Sequence, residues 1–172
     1  SAYAMGKYVF AEKRLKSAQG FFEKSYRTSE LNYMKTIASR GLLYTTTGRF
    51  ALADEYTAKA LQLREEKLGN TNMAVAASLN NYAVLHYNLG KYNESEKEFN
   101  DAIAVIKTNK LQEAMPYAIV LNNQAMLYQS MGNYEAAVKV LQQAMTLSAK
   151  LESAKARNQL KMSTFGTDLQ ST

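Results

Sequence analysis

A short phrase recurs at a fixed interval along this chain. It reads Gly-Lys-Tyr or a close variant, and its copies begin at Gly6, Gly48, Gly90 and Gly132, 42 residues apart each time. A fixed period between about 20 and 50 residues is the signature of a repeat array, in which each unit packs only against its neighbours. The period therefore predicts a row of stacked, similar units rather than one compact domain with a central core.

The residues around each phrase indicate helices. An alanine stands twelve positions after each glycine, and an alanine or serine stands five positions after it. Apolar residues such as Phe99, Ile103 and Ile106 are three or four positions apart, which is the spacing of an amphipathic helix. Each unit should be a helix, a glycine turn and a second helix. We predict helices near 7–26, 30–47, 50–67, 72–88, 92–109, 116–130 and 134–152, with an eighth near 154–164.

These residues resemble the tetratricopeptide repeat (TPR) family. The turn glycine, the following aromatic residue and the small residues of both helices match its pattern. The segments Leu79-Asn80-Asn81 and Leu121-Asn122-Asn123 are similar to the 42-residue subtype of kinesin light chains. The resemblance implies an all-α fold, an α-α superhelix (a TPR solenoid) of antiparallel helix pairs. It divides one array, 1–172, into a partial repeat at 1–27, repeats at 28–69, 70–111 and 112–153, and a capping or partial repeat at 154–172.

The composition argues against an enzyme. The chain has no cysteine and a single histidine, so cysteine–histidine dyads and serine–histidine–aspartate triads lack parts. His86 shares the register of Tyr44 and Tyr128, and we interpret it as a packed side chain. Metal-binding and phosphate-binding motifs are missing, and the carboxylates are expected on solvated outer helix faces. We therefore predict no catalytic residue, metal, cofactor or small-molecule substrate.

The net charge is +6, but most cations alternate with acids along the helices, which is typical of a solvated surface. The one basic segment, Lys150, Lys155, Arg157 and Lys161, is interpreted as a solvated terminal helix rather than a nucleic-acid site. No stretch approaches the ~20 apolar residues of a membrane span. Residues 1–5 align with the end of a helix, so we expect a piece of a longer protein. Its compartment stays open, with the cytoplasm as the first expectation.

The resemblance also implies a concave face, lined by the first helix of each repeat, that grips a protein or an extended peptide. Asparagine amides can bond both the N–H and the C=O of a peptide backbone. By register, the predicted binding residues are Asn80, Asn81, Val84, Tyr87, Asn88, Asn122, Asn123, Met126 and Gln129. Lys161, Thr164 and Phe165 are a candidate continuation.

We thus predict a non-enzymatic scaffold that binds protein or peptide, and three alternatives stay open. Asn80 and Asn122 can instead bond a neighbouring helix and set the angle between repeats. The chain can be a spacer or an end-to-end oligomerisation arm, with Tyr8, Phe10, Leu15 and Phe21 stacking on another copy. It can also be the sensor segment of a larger regulatory protein.

Overall fold

A computed structural model describes the backbone of residues 2–168 and the side chains of residues 4–156. The helices of this part are α1 (Ala2–Lys24), α2 (Leu31–Thr46), α3 (Phe50–Leu68), α4 (Met73–Asn88), α5 (Tyr92–Thr108), α6 (Met115–Ser130) and α7 (Tyr134–Asp168). The all-α prediction is confirmed, and the helix bounds agree closely with those predicted, except at the two ends of the chain. None of the described helices is both long and apolar enough to cross a membrane.

Three of the four repeated glycines end a helix, as predicted. Gly48, Gly90 and Gly132 have φ of 71°, 72° and 75°, a left-handed conformation that glycine adopts without a Cβ clash. After each glycine the next N–H donates to a carbonyl five residues back, as Lys91 does to His86 over 2.9 Å. This bond satisfies a carbonyl that the helix end would otherwise leave without a partner.

The starts of α4 and α6 also follow from their sequences. The Asn72 side-chain oxygen accepts a 2.8 Å hydrogen bond from the N–H of Ala74, which caps the first turn of α4. Pro116 lies in the first turn of α6, as predicted, where its missing N–H breaks no helical bond. Local signals therefore determine where both of these helices begin.

The chain forms two compact units, Ser1–Asn109 and Lys110–Thr172. In the first unit α2 and α3 are antiparallel. They pack very closely at Gly41, where an added Cβ would lie 2.5 Å from the Thr57 hydroxyl oxygen. The small residues at the repeated positions of α3 and α5 are fully buried, namely Ala53, Ala60, Ser95 and Ala102. They allow the helix backbones to approach closely, as the sequence predicts.

The first copy of the phrase behaves differently from the other three. Gly6 lies inside α1, which runs without a break from Ala2, so the expected turn at this glycine is wrong. The four described residues before it make little more than one helical turn. The backbone here continues as α-helix, so the recurring phrase alone does not make a turn.

The second unit is the antiparallel pair α6 and α7. Lys150 Nζ of α7 donates to Glu113 Oε1 just before α6 over 2.6 Å, which places the middle of α7 beside the start of α6. The break predicted after residue 152 is wrong, since α7 continues to Asp168. No glycine or proline interrupts 147–165, so nothing in the backbone chemistry ends the helix there. The side chains of Arg157, Lys161, Thr164 and Phe165 lie outside the described residues.

Candidate protein-binding groove

Five of the predicted binding residues lie on α4, in the first unit. Asn80, Asn81, Val84 and Tyr87 are half-buried there, and Asn80 and Tyr87 already interact with other groups of the protein. The Tyr87 ring lies 6.0 Å from that of Tyr92. Asn88 is exposed, but its amide nitrogen donates to the Val84 carbonyl over 2.7 Å, within its own helix. The α4 residues therefore offer only part of their hydrogen-bonding capacity to a ligand.

The other four predicted binding residues lie on α6, in the second unit. They line one open groove together with residues of α7. Asn122, Met126 and Gln129 are exposed, whereas Asn123 is half-buried and already interacts with another group. The groove has two cavities of about 470 Å³ and 240 Å³. Asn122 lines both cavities and so lies where they meet. Four predicted residues are thus brought together.

The first cavity lies toward the start of α6 and the middle of α7. Its described lining consists of small and apolar groups, the amides of Asn122 and Asn123, and one ionisable side chain, that of Glu152. The second cavity lies toward the turn between the helices, and Tyr134 is the only ionisable residue in its described lining. The groove therefore suits an uncharged, mostly apolar surface with a few hydrogen-bonding groups.

None of the predicted binding residues lies on the α7 side of the groove. Leu141 and Met145 have the helical spacing of packing positions, yet in the structure they are 40% and 64% exposed. Val138, 54% exposed, stands in the register of Asp54 and Glu96. The sequence contained a signal for this exposure, because Val138 replaces the acids of earlier repeats at a position expected to face solvent. Such a replacement favours an interaction surface.

His86 is packed, as predicted. Its ring stacks on Tyr82 with centroids 4.5 Å apart, and its Nδ1 lies 2.9 Å from Glu98 Oε2. Burial raises the pKa of the Glu98 carboxyl, and the hydrogen bond with His86 opposes that rise. Burial, and then a 2.9 Å hydrogen bond to Asp54, raise the pKa of Tyr82 to about 12. These contacts join α3, α4 and α5, and they give His86 a structural role.

Two carboxylates depart from the expected solvated faces. Glu98 is half-buried beside His86, and Glu12 is half-buried where α1 meets the α2–α3 pair. Arg49 and Lys16 each lie 2.9 Å from Glu12, and their hydrogen bonds lower the pKa of Glu12 to about 2. The expectation is wrong here because the decisive partners lie far away in the sequence: Arg49 is in the turn before α3, and His86 is on α4. Among residues whose side chains are described, no three of His, Cys, Asp or Glu are grouped to hold a metal ion.

Sequence comparison agrees with the helix pairs and the capped glycine turns described above. The tetratricopeptide repeat family is matched twice, over residues 33–108 and residues 118–151, which together make up more than half of the chain. The chain belongs to the tetratricopeptide repeat family. The resemblance seen in the sequence is thereby confirmed. Members of this family are generally non-enzymatic scaffolds that bind protein partners.

Solved structures with the same fold include kinesin light chain-like proteins. BtubC (BKLC) from P. vanneervenii has a TM-score of 0.66 and 19% identity over 84% of this chain. A kinesin light chain-like protein of Podosopora anserina with nearly identical TPR-like repeats has a TM-score of 0.65 and 18% identity over 87% of this chain and 71% of its own. This chain spans 57% of the BtubC chain. At these identities the likeness shows the fold alone, and no curated protein matches the sequence.

Proposed function

We propose that this chain is a non-enzymatic module that binds a protein partner through the groove between α6 and α7. The observation that carries the proposal is an open, mainly apolar surface on one pair of helices, with Met126 48% and Val138 54% exposed. Contiguous exposed apolar surface rimmed by polar groups is characteristic of interaction sites. Methionine adapts to varied shapes, and the amides of Asn122 and Gln129 can orient a ligand. The family's general role in binding proteins supports the same conclusion.

The groove favours a partner of low charge. Its described lining has Glu152 and Tyr134 as the only ionisable side chains. A carboxylate-rich ligand would find no cation there and would lose hydration without compensation. The α4 residues Asn81, Val84 and Asn88 belong to the same proposal as a second contact region.

Selection from a displayed library of random peptides tests this function without assuming the ligand's conformation. Peptides selected on the full chain should lose at least tenfold in affinity for Met126→Lys, because a buried lysine would have no partner in the groove. Thr146→Lys is the matched control, since Thr146 is exposed and lines a separate cavity. Equal binding to all three proteins, or the failure of the library to yield a binder, would refute the groove as the working surface.

A second candidate function, end-to-end self-association, is favoured by α1. Met5, Val9, Phe10 and Phe21 of this helix are each about 60% exposed. The Phe10 and Phe21 rings are partly covered by the guanidinium groups of Arg14 and Arg27 at 5.5 and 6.0 Å. Sedimentation over a hundredfold range of concentration tests it. A rising mass that Phe10→Glu abolishes would support this function, and a constant monomer would exclude it.

A further inference from the structure

The middle repeat differs from the repeats on either side of it at two packed positions, 86 and 98. It has His86 on α4 and Glu98 on α5. The equivalent residues of the other two repeats are Tyr44 with Tyr56 and Tyr128 with Val140. In the first repeat the two tyrosine rings contact each other, with centroids 5.4 Å apart. The middle repeat therefore has a proton-binding pair where the other two have side chains that stay uncharged at neutral pH.

This pair lies in the packed interior of the first unit. The His86 and Glu98 side chains are 11% and 15% exposed, and Nδ1 of the ring lies 2.9 Å from Oε2 of the carboxylate. The ring stacks on Tyr82, whose hydroxyl donates to Asp54 of α3 over 2.9 Å. One continuous set of contacts therefore joins α3, α4 and α5 through a pair of groups that can gain or lose a proton.

Carboxylates are the main charged groups around this pair. Those that act on Glu98 or on Tyr82 are Glu94 and Asp101 of α5 and Asp54 of α3. From α2, the ring of Tyr44 packs in one cluster with Leu85 of α4. Cations of this unit contact other groups or solvent: Arg40 and Arg49 lie over tyrosine rings, Lys59 lies over Tyr33, Arg64 donates to Ser78, and Lys97 is exposed. Since like charges oppose one another's ionisation, a single proton on the pair relieves repulsion among these acids.

In these surroundings proton binding and folding favour each other. Burial and the nearby acids raise the pKa of Glu98, whereas the hydrogen bond with His86 opposes that rise. A carboxyl with a raised pKa binds its proton more tightly in the folded chain than in the unfolded one. Its contribution to stability is complete below the ordinary value of 4.5 and is lost as the pH rises through the raised value. A proton on the imidazole instead gives Glu98 a cationic partner, so one proton on either residue removes the net negative charge of the pair.

We propose that the His86–Glu98 pair is a proton-sensitive joint: uptake of one proton tightens the packing of α4 against α3 and α5, and its loss loosens that packing. The pair includes the only histidine of the chain, and histidine ordinarily changes its charge between pH 5 and 8, so we expect the response in that range. Because α4 also carries Asn81, Val84 and Asn88, the joint sets how firmly these candidate contact residues are held. The inference goes beyond the proposed function and does not depend on it.

Hydrogen exchange of the full chain, followed by mass spectrometry at pH 5 and pH 8, tests the joint. Neither Glu12, with a pKa of about 2, nor Tyr82, with a pKa of about 12, changes its charge in this interval. Glu98→Gln is the decisive variant, because glutamine has nearly the same size and still offers an oxygen to His86 but cannot take up a proton. Each variant is compared with the parent at the same pH, so the intrinsic pH dependence of amide exchange cancels.

At pH 8 the amides of α4 and α5 should exchange faster in the parent than in Glu98→Gln, because only the parent then has an ionised carboxylate in this packed site. The ratio of the two rates should fall by about threefold or more between pH 8 and pH 5, since half a unit of pKa difference between folded and unfolded chains corresponds to about a threefold change. The double variant His86→Tyr/Glu98→Tyr, which has the pair of the first repeat, should give the same fall. Glu55→Gln is the matched control: its carboxylate is exposed on α3, so it should follow the parent at both pH values.

The imidazole signals of the single histidine give an independent readout by NMR. Their titration should move to lower pH in Glu98→Gln, which removes the carboxylate 2.9 Å from the ring, and should stay unchanged in Glu55→Gln. The inference is overturned if the exchange ratio is the same at pH 5 and pH 8, if Glu55→Gln alters it as much as Glu98→Gln, or if the change is as large in α7 as in α4 and α5. An imidazole titration that is identical in the parent and in Glu98→Gln also overturns it, because the two groups would then not act as a pair.

Discussion

Alanine placed at two glycines of the same repeated phrase should have opposite effects on stability. Gly90 has φ of 72°, and an added Cβ there would meet no atom within 4 Å, so its substitution is unfavourable only through the backbone. Left-handed alanine is unfavourable by about 1–2 kcal/mol. Alanine also lowers the conformational entropy of the unfolded chain relative to glycine, which offsets roughly 0.4–1 kcal/mol of this loss. Gly90→Ala should therefore destabilise the protein by about 0.8 kcal/mol, and by at most about 1.6 kcal/mol.

Gly6 is the matched control within the same unit. It lies inside α1, is exposed, and an added Cβ would again meet nothing within 4 Å. Alanine is favoured over glycine in a helix interior by about 0.8–1.0 kcal/mol. Gly6→Ala should therefore stabilise α1 by up to about that amount, less the fraying near the helix start.

Hydrogen exchange followed by mass spectrometry measures both effects locally. Amides of α4 should exchange roughly fourfold faster in Gly90→Ala, and at most about 15-fold faster, which is the equivalent of the free energies above. Amides of α1 should exchange more slowly in Gly6→Ala. Thermal unfolding measures the effect on global stability, because each kcal/mol changes the melting temperature by about 2–4 °C in a chain of this size. The reasoning is refuted if both substitutions shift stability in the same direction, because a common direction would mean a common backbone conformation.

Four further substitutions test the polar contacts of the first unit. The Thr57 hydroxyl is buried without a hydrogen-bond partner, so Thr57→Val should raise the free energy of unfolding by about 1 kcal/mol in urea titrations. Thr45→Val is the control. It loses the hydrogen bond from the Thr45 hydroxyl to the Gly41 carbonyl and should lower the free energy of unfolding. The pKa of Glu12 is about 2 in the folded protein against an ordinary 4.5, so its contribution to stability is present above pH 4.5 and is lost as the pH falls toward 2. The urea midpoint of Glu12→Gln should not show this loss at low pH. If the midpoints of Glu12→Gln and the parent fall equally below pH 4.5, the assignment to Glu12 is wrong. Tyr82→Phe removes the bond to Asp54 and should lower stability by about 1 kcal/mol at pH 7. Because the folded pKa of Tyr82 is raised from 10 to about 12, the parent should lose this advantage as the pH rises through that range, and a gap that stays constant would exclude the bond as its source.

Much of this protein could be predicted from its sequence because the dominant constraints are local and periodic. The 42-residue interval, the helical spacing of apolar residues and the glycines at 48, 90 and 132 determine where the helices are and how each pair turns. Small residues at the repeated positions determine how closely the helices pack. Each of these signals acts within one unit or between adjacent helices, so one sequence is enough to detect it.

The tertiary structure decided what each repeated position does. Gly6 and Gly90 are both followed by lysine and tyrosine, but Gly6 lies inside α1 and only Gly90 makes a turn. Glu12 resembles a solvated acid in the sequence, but in the structure Arg49, in the turn before α3, lies 2.9 Å from it.

The open face of α6 and α7 is the clearest case. Leu141 and Met145 have the residue types and spacing of a core, and sequence alone predicts that they are buried. Whether an apolar side chain is buried depends on whether another helix covers it, and that is a property of packing rather than of periodicity. In the first unit α4 covers the equivalent face. In the second unit no described helix covers that face, so Leu141 and Met145 are exposed.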